Sequence, residues 1–330
     1  MAEITLQKRP EPNQVTAVGV LGTGVIGGSW ACHFLRYGLE VVAYDLAPGA
    51  EERLRARVLE VWPQLQKMGL KEGASPDKLR FVDSLQELGR SVPIIQESTP
   101  ENLPEKQQLF AELDRAIEPH VIISSSTSGY PMTDIQALCA NPSRTVVCHP
   151  FTPPHIVPFC EVVGGEKTAA EVVDWAAEFF QCHGKEVAKM DKELYGFIGN
   201  RLQDAIWREA LHMVANDECS VADIDKSIAY GPGLRWAIFG PCMNMAMCGG
   251  EGGMARMLDH FGPSLKEPWT RLESPELTDK LYSDMVAGTE EMLDGRSMQD
   301  VMQERDELLI RIRQTIDDYR SEKKLDKSTH

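Results

Sequence analysis

Three kinds of signal are scarce or missing in this 330-residue chain. No apolar run approaches the roughly 20 residues that span a bilayer, so no transmembrane helix is expected. The first fourteen residues, MAEITLQKRPEPNQ, hold no apolar h-region, so no secretory leader is expected. Positive charge is in deficit: 34 Lys and Arg stand against 50 Asp and Glu, a formal net charge of −16. That balance argues against nucleic acid and anionic membrane surfaces as partners. It leaves room for an anionic small substrate, because one Arg can reverse the field inside a pocket. The eight cysteines, at 32, 139, 148, 160, 182, 219, 242 and 248, never form C-x-x-C. Neither a metal site nor a disulfide framework is expected, and the thiols read as reduced, in a cytoplasmic protein.

What is present is an ordinary core and one organising stretch. Hydrophobic residues make up 42% of the chain, enough for one large or two medium domains. The apolar run Val15 to Leu21 breaks into Gly22, Gly24 and Gly27, spaced G-x-G-x-x-G, and Ser29 to Tyr37 then reads as a helix. Gly22 allows a tight turn off the strand. Gly24 lets a pyrophosphate approach the backbone, and Gly27 lets helix and strand pack closely. The amides at Val25 and Ile26 and the helix dipole then face the phosphates. A second strand, Glu40 to Tyr44, ends in Asp45, 18 residues after Gly27, where a carboxylate meets a ribose 2′-hydroxyl. No Arg follows Asp45 directly, so NAD is preferred over NADP.

Further strands are expected at Leu79 to Val82, Ser91 to Gln96, Val121 to Ser124, Thr145 to Cys148, Phe159 to Val163 and Glu186 to Met190. Helices are expected at Pro48 to Leu70 and from Pro104. Alternating strands and helices imply an α/β fold, a doubly wound, Rossmann-type parallel sheet. The texture changes near Asp191. Beyond it the chain is helix-like, with an apolar stripe of Leu202, Ile206, Ala210, Met213 and Val214. Two domains are therefore expected: 1–191 binding NAD, and 192–330 all-helical, binding substrate and making a dimer.

Ser128, His149 and Glu161 are the constellation to test. Oxidising a secondary alcohol with NAD needs a base for the hydroxyl proton, and His suits this because its ordinary pKa is about 6.5. A carboxylate on its other nitrogen fixes the tautomer and favours the charged form. Glu161 lies 12 residues after His149. Ser128 suits the substrate oxygen. Spacing alone does not choose between His149 and His155.

Seven ordered motifs resemble the 3-hydroxyacyl-CoA dehydrogenase superfamily. They are GTGVIGG, Asp45, Glu97-Ser-Thr-Pro-Glu101 with Lys106, Ser125-Ser-Thr-Ser-Gly129, His149-Pro-Phe-Thr-Pro, Glu161-Val-Val-Gly and Gly196-Phe-Ile-Gly-Asn-Arg-Leu202. The resemblance implies that His149 is the general base and Glu161 its orienting partner. It implies that Ser128 and Asn200 contact the substrate oxygen. It places Glu101, Lys106 and Ser126 with the cofactor. The competing reading of Glu101 and Lys106 is a solvated i, i+5 charge pair.

Within the superfamily the chain resembles two branches that oxidise free acids, those acting on L-carnitine and on L-gulonate, the latter lambda-crystallin-like. Gly129 follows Ser128, the segment from Asp45 to Leu79 is short, and Gly233-Leu-Arg-Trp236 looks like the G-M-R-[WY] of these branches. Gly249 to Met254 and Phe261 to Thr270 resemble the carnitine branch more. Thr152, where the family usually has Asn, and Tyr130 depart from the pattern and leave the pocket's detail open. A free carboxylate needs a cation, and Arg235 offers a planar fork; the competing reading is a surface Arg. Trp236, Phe239 and Trp269 offer aromatic faces to a quaternary ammonium, or simply pack helices. Met243, Met245, Met247, Met254 and Met257 read as core, pocket or partner surface. The expected reaction is NAD-dependent oxidation of a small 3-hydroxy acid, most like carnitine. L-gulonate and a short 3-hydroxyacyl-CoA are the rival substrates. A non-catalytic crystallin-like protein is the rival of another class, against which the full set Ser128, His149, Glu161 and Asn200 argues.

Overall fold

A computed structural model describes residues 9–237, 240–261, 263, 270, 278–281, 283 and 295–328. Their contacts divide the chain into two units, Met1–Asn200 and Arg201–His330.

The first unit is built on one eight-stranded sheet. Its strands are β1 (Ala17–Leu21), β2 (Glu40–Tyr44), β3 (Leu79–Phe81), β4 (Ile94–Glu97), β5 (Ile122–Ser125), β6 (Thr145–Pro150), β7 (Phe159–Val163) and β8 (Glu186–Lys189). Their order is β3-β2-β1-β4-β5-β6-β7-β8. β1 is buried along its whole length, as an apolar strand covered on both faces must be. The chain leaves β1 for β2 on one side and returns to β4 on the other. That reversal opens a crevice at the carboxyl ends of the strands, where ligands of such sheets bind.

The helices α1 (Val25–Arg36), α2 (Ala50–Lys67), α3 (Leu103–Ala116) and α4 (Ala170–Cys182) flank the sheet. α1 is buried from Gly27 to Arg36, and Trp30 stacks on Phe34 at 5.2 Å with Phe180 beside it. In α2 the apolar positions Leu54, Val58, Val61 and Leu65 turn inward, and Met68, the fifth of that spacing, caps the helix and is partly buried.

The expected all-parallel sheet needs one correction. β6 and β7 pair antiparallel, so β7 and β8 run against the other six. Residues 151–158 are too few for a crossover helix, so the chain must double back as a hairpin. This reversal brings His149 directly opposite Glu161 in the register.

In the second unit every regular element described is helical. The helix α5 (Phe197–Ala215) leads into Val221–Tyr230, Pro232–Trp236, Pro241–Cys248, Gly253–Phe261 and the long Met298–Ser328. Val214, Val221 and Leu281 form a small core with Leu211, Ala215 and Ile224 against it. Only the lower part of the α5 stripe is covered: Ala210 and Val214 are buried, whereas Leu202 and Ile206 are exposed.

Candidate active site

The glycine loop does what its spacing asks. Gly22 sits at φ +79°, in the left-handed region that side chains avoid, and a Cβ there would lie 2.9 Å from the Ser98 backbone. A Cβ on Gly27 would lie 1.8 Å from the Gly22 carbonyl oxygen. A Cβ on Gly24 would meet nothing within 4 Å, so the space beside it is open to a ligand. Gly24 caps α1 without a side-chain partner, and Gly28 is the residue that first bonds back to it, at 2.8 Å. The earlier amides at Val25, Ile26 and Gly27 thus point out of the helix end toward any anion there. Open space, exposed amides and a terminal carboxylate suit a dinucleotide.

Asp45 stands at the end of β2. Its Oδ2 accepts from the Thr23 amide at 2.6 Å and the Thr23 hydroxyl at 2.9 Å, and its Oδ1 accepts from the Ala47 amide at 2.8 Å. Partial burial pushes its pKa up. The hydrogen bonds from Thr23 and Ala47, with the charge of Arg53, outweigh that and hold it below the usual carboxylate range. Asp45 therefore stays ionised and braces the glycine loop. A carboxylate has lone pairs beyond these three donors, so it retains capacity for a ribose hydroxyl.

At the carboxyl ends of β4 and β5 the structure buries a charge cluster. Lys106 is 1% exposed and lies 2.8 Å from Oε1 of Glu97, which is 0% exposed. The surface charge-pair reading of Lys106 is therefore wrong, because its near partner is Glu97 within the core. Glu101 is farther, at 3.5 Å, and is 42% exposed. Glu97 also accepts from the amide and hydroxyl of Thr99 and from the Ser125 hydroxyl, each at 2.6 Å. Glu101 accepts from the Thr127 hydroxyl at 2.6 Å and the Ser128 amide at 2.9 Å, and so holds the tip of the serine loop. Ser126 is tied inward: Gln96 at 2.7 Å and Trp30 at 3.1 Å donate to its hydroxyl, which also pairs with Ser98 at 2.8 Å. Sequence reasoning quoted Glu97 in a motif but gave it no role. The signal was an acid at the end of an apolar strand, a position that buries its charge.

His149 and Glu161 meet across the β6–β7 hairpin. His149 Nδ1 donates to Glu161 Oε2 at 2.7 Å, and both side chains are buried. The other carboxylate oxygen, Oε1, accepts from the amides of Ile198 at 2.8 Å and Gly199 at 2.9 Å, in the first turn of α5. Glu161 thus sits at a helix N-terminus, where its charge is favoured. The aromatic rings of Phe151 and Phe197 flank the imidazole at 5.4 and 5.2 Å. Phe197 holds a positive φ of +50°, uncommon for a bulky residue, directly after Gly196 at +75°. These two residues turn the chain so that the amides of Ile198 and Gly199 face Glu161. Asn200 then donates to the Ser128 carbonyl at 2.8 Å, linking α5 to the serine loop. His155 lies elsewhere, buried against Ser29 of α1 with Nδ1 2.6 Å from the hydroxyl. The structure therefore joins His149 to Glu161 and the Asn200 side chain to the Ser128 backbone, and sets His155 apart.

Arg235 and Trp236 belong to the second unit, on the helix Pro232–Trp236. Arg235 is exposed and Trp236 half-buried, and Asn244 donates to the Arg235 carbonyl at 3.4 Å. Phe239 and Trp269 lie outside the described residues.

Family models match both units. The NAD-binding domain of 3-hydroxyacyl-CoA dehydrogenase matches residues 17–194, and the C-terminal domain of that enzyme matches residues 196–292. The chain belongs to the 3-hydroxyacyl-CoA dehydrogenase family. It is an NAD-dependent dehydrogenase acting on a hydroxy acid. Among curated relatives it is 56% identical over 301 residues to the L-carnitine dehydrogenase of Streptomyces coelicolor, covering 91% of this chain and 95% of that one. The L-carnitine dehydrogenase of Nocardiopsis dassonvillei is 52% identical, covering 96% of each chain. Among solved structures, the NAD-dependent 5-formyl-3-hydroxy-2-methylpyridine 4-carboxylic acid 5-dehydrogenase superposes with a TM-score of 0.78 at 25% identity, over 92% of this chain and 99% of that one. The (S)-3-hydroxybutyryl-CoA dehydrogenase of Ralstonia eutropha, at 23% identity and a TM-score of 0.62 over 83% and 92% of the two chains, shares the fold. Among the described residues no helix is long and apolar enough to cross a membrane.

Proposed function

We propose that this chain oxidises the 3-hydroxyl of L-carnitine to the ketone, 3-dehydrocarnitine, with His149 as general base. The observation that carries the chemistry is the His149–Glu161 pair. Because Nδ1 is committed to Glu161 at 2.7 Å, Nε2 is the nitrogen left for the hydroxyl proton. The L-carnitine dehydrogenases, matched along nearly their whole length, support the substrate.

NAD, when bound, supplies the acceptor for the hydride that leaves C3. The residues to hold it are Gly22, Gly24, Val25, Ile26 and Gly27 at the phosphates and Asp45 at a ribose, with Glu101 toward the other half; Lys106 and Ser126, expected beside it, are turned inward onto protein partners and support that side from behind. As the C3–H electron pair departs, the O–H proton passes to His149 Nε2 and the C=O bond forms. Glu161 offsets the imidazolium charge, and the two α5 amides keep Glu161 in place as that charge grows. Phe151 and Phe197 fix the plane of the ring and keep water from it. Ser128 and Asn200 hydrogen-bond the substrate oxygen. Arg235 pairs with the free carboxylate, and Trp236 offers its face to the trimethylammonium group, a contact worth about 0.5–2 kcal/mol.

The test is NADH formation with L-carnitine, D-carnitine, L-gulonate, 3-hydroxybutyrate and 3-hydroxybutyryl-CoA, each with NAD and with NADP. Turnover of L-carnitine with NAD is the expected result. Turnover of L-gulonate or of the CoA ester alone would move the substrate and sink the carnitine reading. Arg235→Ala is expected to raise KM for L-carnitine roughly tenfold or more, from loss of a charged hydrogen bond. An unchanged KM in Trp236→Ala would remove that residue from the site.

The same reading includes a homodimer through the helical unit. Leu202, Ile206 and Trp207 leave the upper face of α5 exposed and apolar, and Met243, Met245 and Met247 add to the uncovered surface of this unit. Light scattering is expected to give twice the monomer mass. Leu202→Asp with Ile206→Asp should yield monomer, and a wild type that is monomeric at micromolar concentration would reject the dimer.

A further inference from the structure

Two carboxylates and one ammonium meet between the carboxyl ends of β4 and β5. Lys106 Nζ lies 2.8 Å from Glu97 and 3.5 Å from Glu101, so the cluster carries a formal charge of −1. Glu97 is sealed in the core, with its oxygens taken by Lys106, Thr99 and Ser125. Glu101 is the partly exposed member, and it also holds the Thr127–Ser128 tip of the serine loop. The uncompensated charge is therefore on the open side of the cluster.

A dinucleotide on a doubly wound sheet lays its two halves on the two sides of the switch point. Asp45, after β2, marks the adenosine half. The nicotinamide half then falls on the side of β4, β5 and β6, where this cluster, Ser128 and His149 stand. The nicotinamide ring is positively charged when oxidised and neutral when reduced. A fixed negative charge nearby attracts the first form and is indifferent to the second.

We propose that the Glu97–Lys106–Glu101 cluster favours the oxidised cofactor relative to the reduced one, through the net negative charge that Glu101 adds to it. The consequence is directional. After oxidation of the alcohol the attraction is gone, so the cluster shifts the balance of affinities toward release of NADH relative to a neutral site. The proposal rests on the cofactor and not on the choice of substrate, so failure of the carnitine reading leaves it intact.

The experiment measures binding without substrate, on the full chain. Dissociation constants are taken by calorimetry for NAD+ and by nicotinamide fluorescence for NADH. Glu101→Gln keeps the size of the side chain and a carbonyl acceptor but makes the cluster neutral. It is expected to weaken NAD+ relative to NADH by roughly three- to tenfold. Glu101→Asp should return the ratio toward wild type. Raising ionic strength should erode the preference in wild type and leave Glu101→Gln unmoved. A merely structural role changes both constants by one factor. Equal changes, no change, or selective loss of NADH would each overturn the proposal.

Discussion

Replacing His149 with alanine is expected to lower kcat for the hydroxy acid roughly a hundredfold to ten-thousandfold, the usual contribution of a positioned general base. NADH affinity should hold near wild type, and the melting temperature should fall by a few degrees while the cooperative transition is kept. The reason lies in how the pair is built. Glu161 does not depend on His149 alone for its partners, because the amides of Ile198 and Gly199 hold its second oxygen at 2.8 and 2.9 Å. Removing the imidazole takes away the proton acceptor and also leaves the buried Oε2 without its partner, at a cost of about 1–3 kcal/mol, while the two amides keep the carboxylate in place. Glu161→Gln is expected to cost a comparable amount, because one carbonyl cannot accept from both Nδ1 and the two amides, and an NH2 turned to the ring puts the proton on Nε2, the wrong tautomer for a base. The checking measurement is steady-state NADH formation beside a thermal melt and NADH titration. Retention of most of the activity by His149→Ala would remove His149 as the base. A variant that loses activity, NADH binding and its thermal transition together would instead reveal a scaffold residue.

Two glycines of the cofactor loop should fail in different ways. A Cβ at Gly27 would be 1.8 Å from the Gly22 carbonyl oxygen and 3.3 Å from the Ser98 side chain. The Gly22 contact is to backbone and cannot rotate away, so α1 must back off from the loop. Overpacking of this kind costs about 1–3 kcal/mol. Gly27→Ala is therefore expected both to melt several degrees lower and to weaken NAD more than tenfold, since the displaced amides no longer converge on the pyrophosphate. At Gly24 a Cβ meets no protein atom within 4 Å, and φ is −64°, which alanine adopts freely. Gly24→Ala is expected to fold with wild-type stability and still lose NAD affinity, because the methyl group occupies space the ligand needs. Melting curves and cofactor titrations of the two variants separate these cases. Wild-type affinity in Gly24→Ala would show that the phosphates do not approach there.

Much of the first unit was legible because its signals are local. The strands Glu40–Tyr44 and Phe159–Val163 fall where alternating and continuous apolar patterns put them. Asp45 and the three glycines could be assigned because each answers to a fixed offset along one βαβ unit. The buried positions of α2 follow its 3.6-residue period. Lys106 was harder to read. On sequence it sits five residues from Glu101 at a helix start, and charged residues there are ordinarily solvated. Its burial depends on Glu97, nine residues back at the end of another element, and no periodicity announces that contact.

Chain chemistry was enough to specify a dinucleotide-binding α/β unit, the order of its elements and the residue types from which a proton-transferring site can be made. Apolar periodicity, glycine freedom and strand propensity act over a few residues, and those are written in the chain. Spacing left His149 and His155 open and the family resemblance favoured His149, but joining it to Glu161 required the register of an antiparallel hairpin forced by an eight-residue connection. Fixing Glu161 required the first turn of α5, entered through Gly196 and Phe197 at positive φ, 37 and 38 positions from the amides it binds. These pairings are set by packing free energy summed over the whole sheet, and no short stretch of sequence carries that sum.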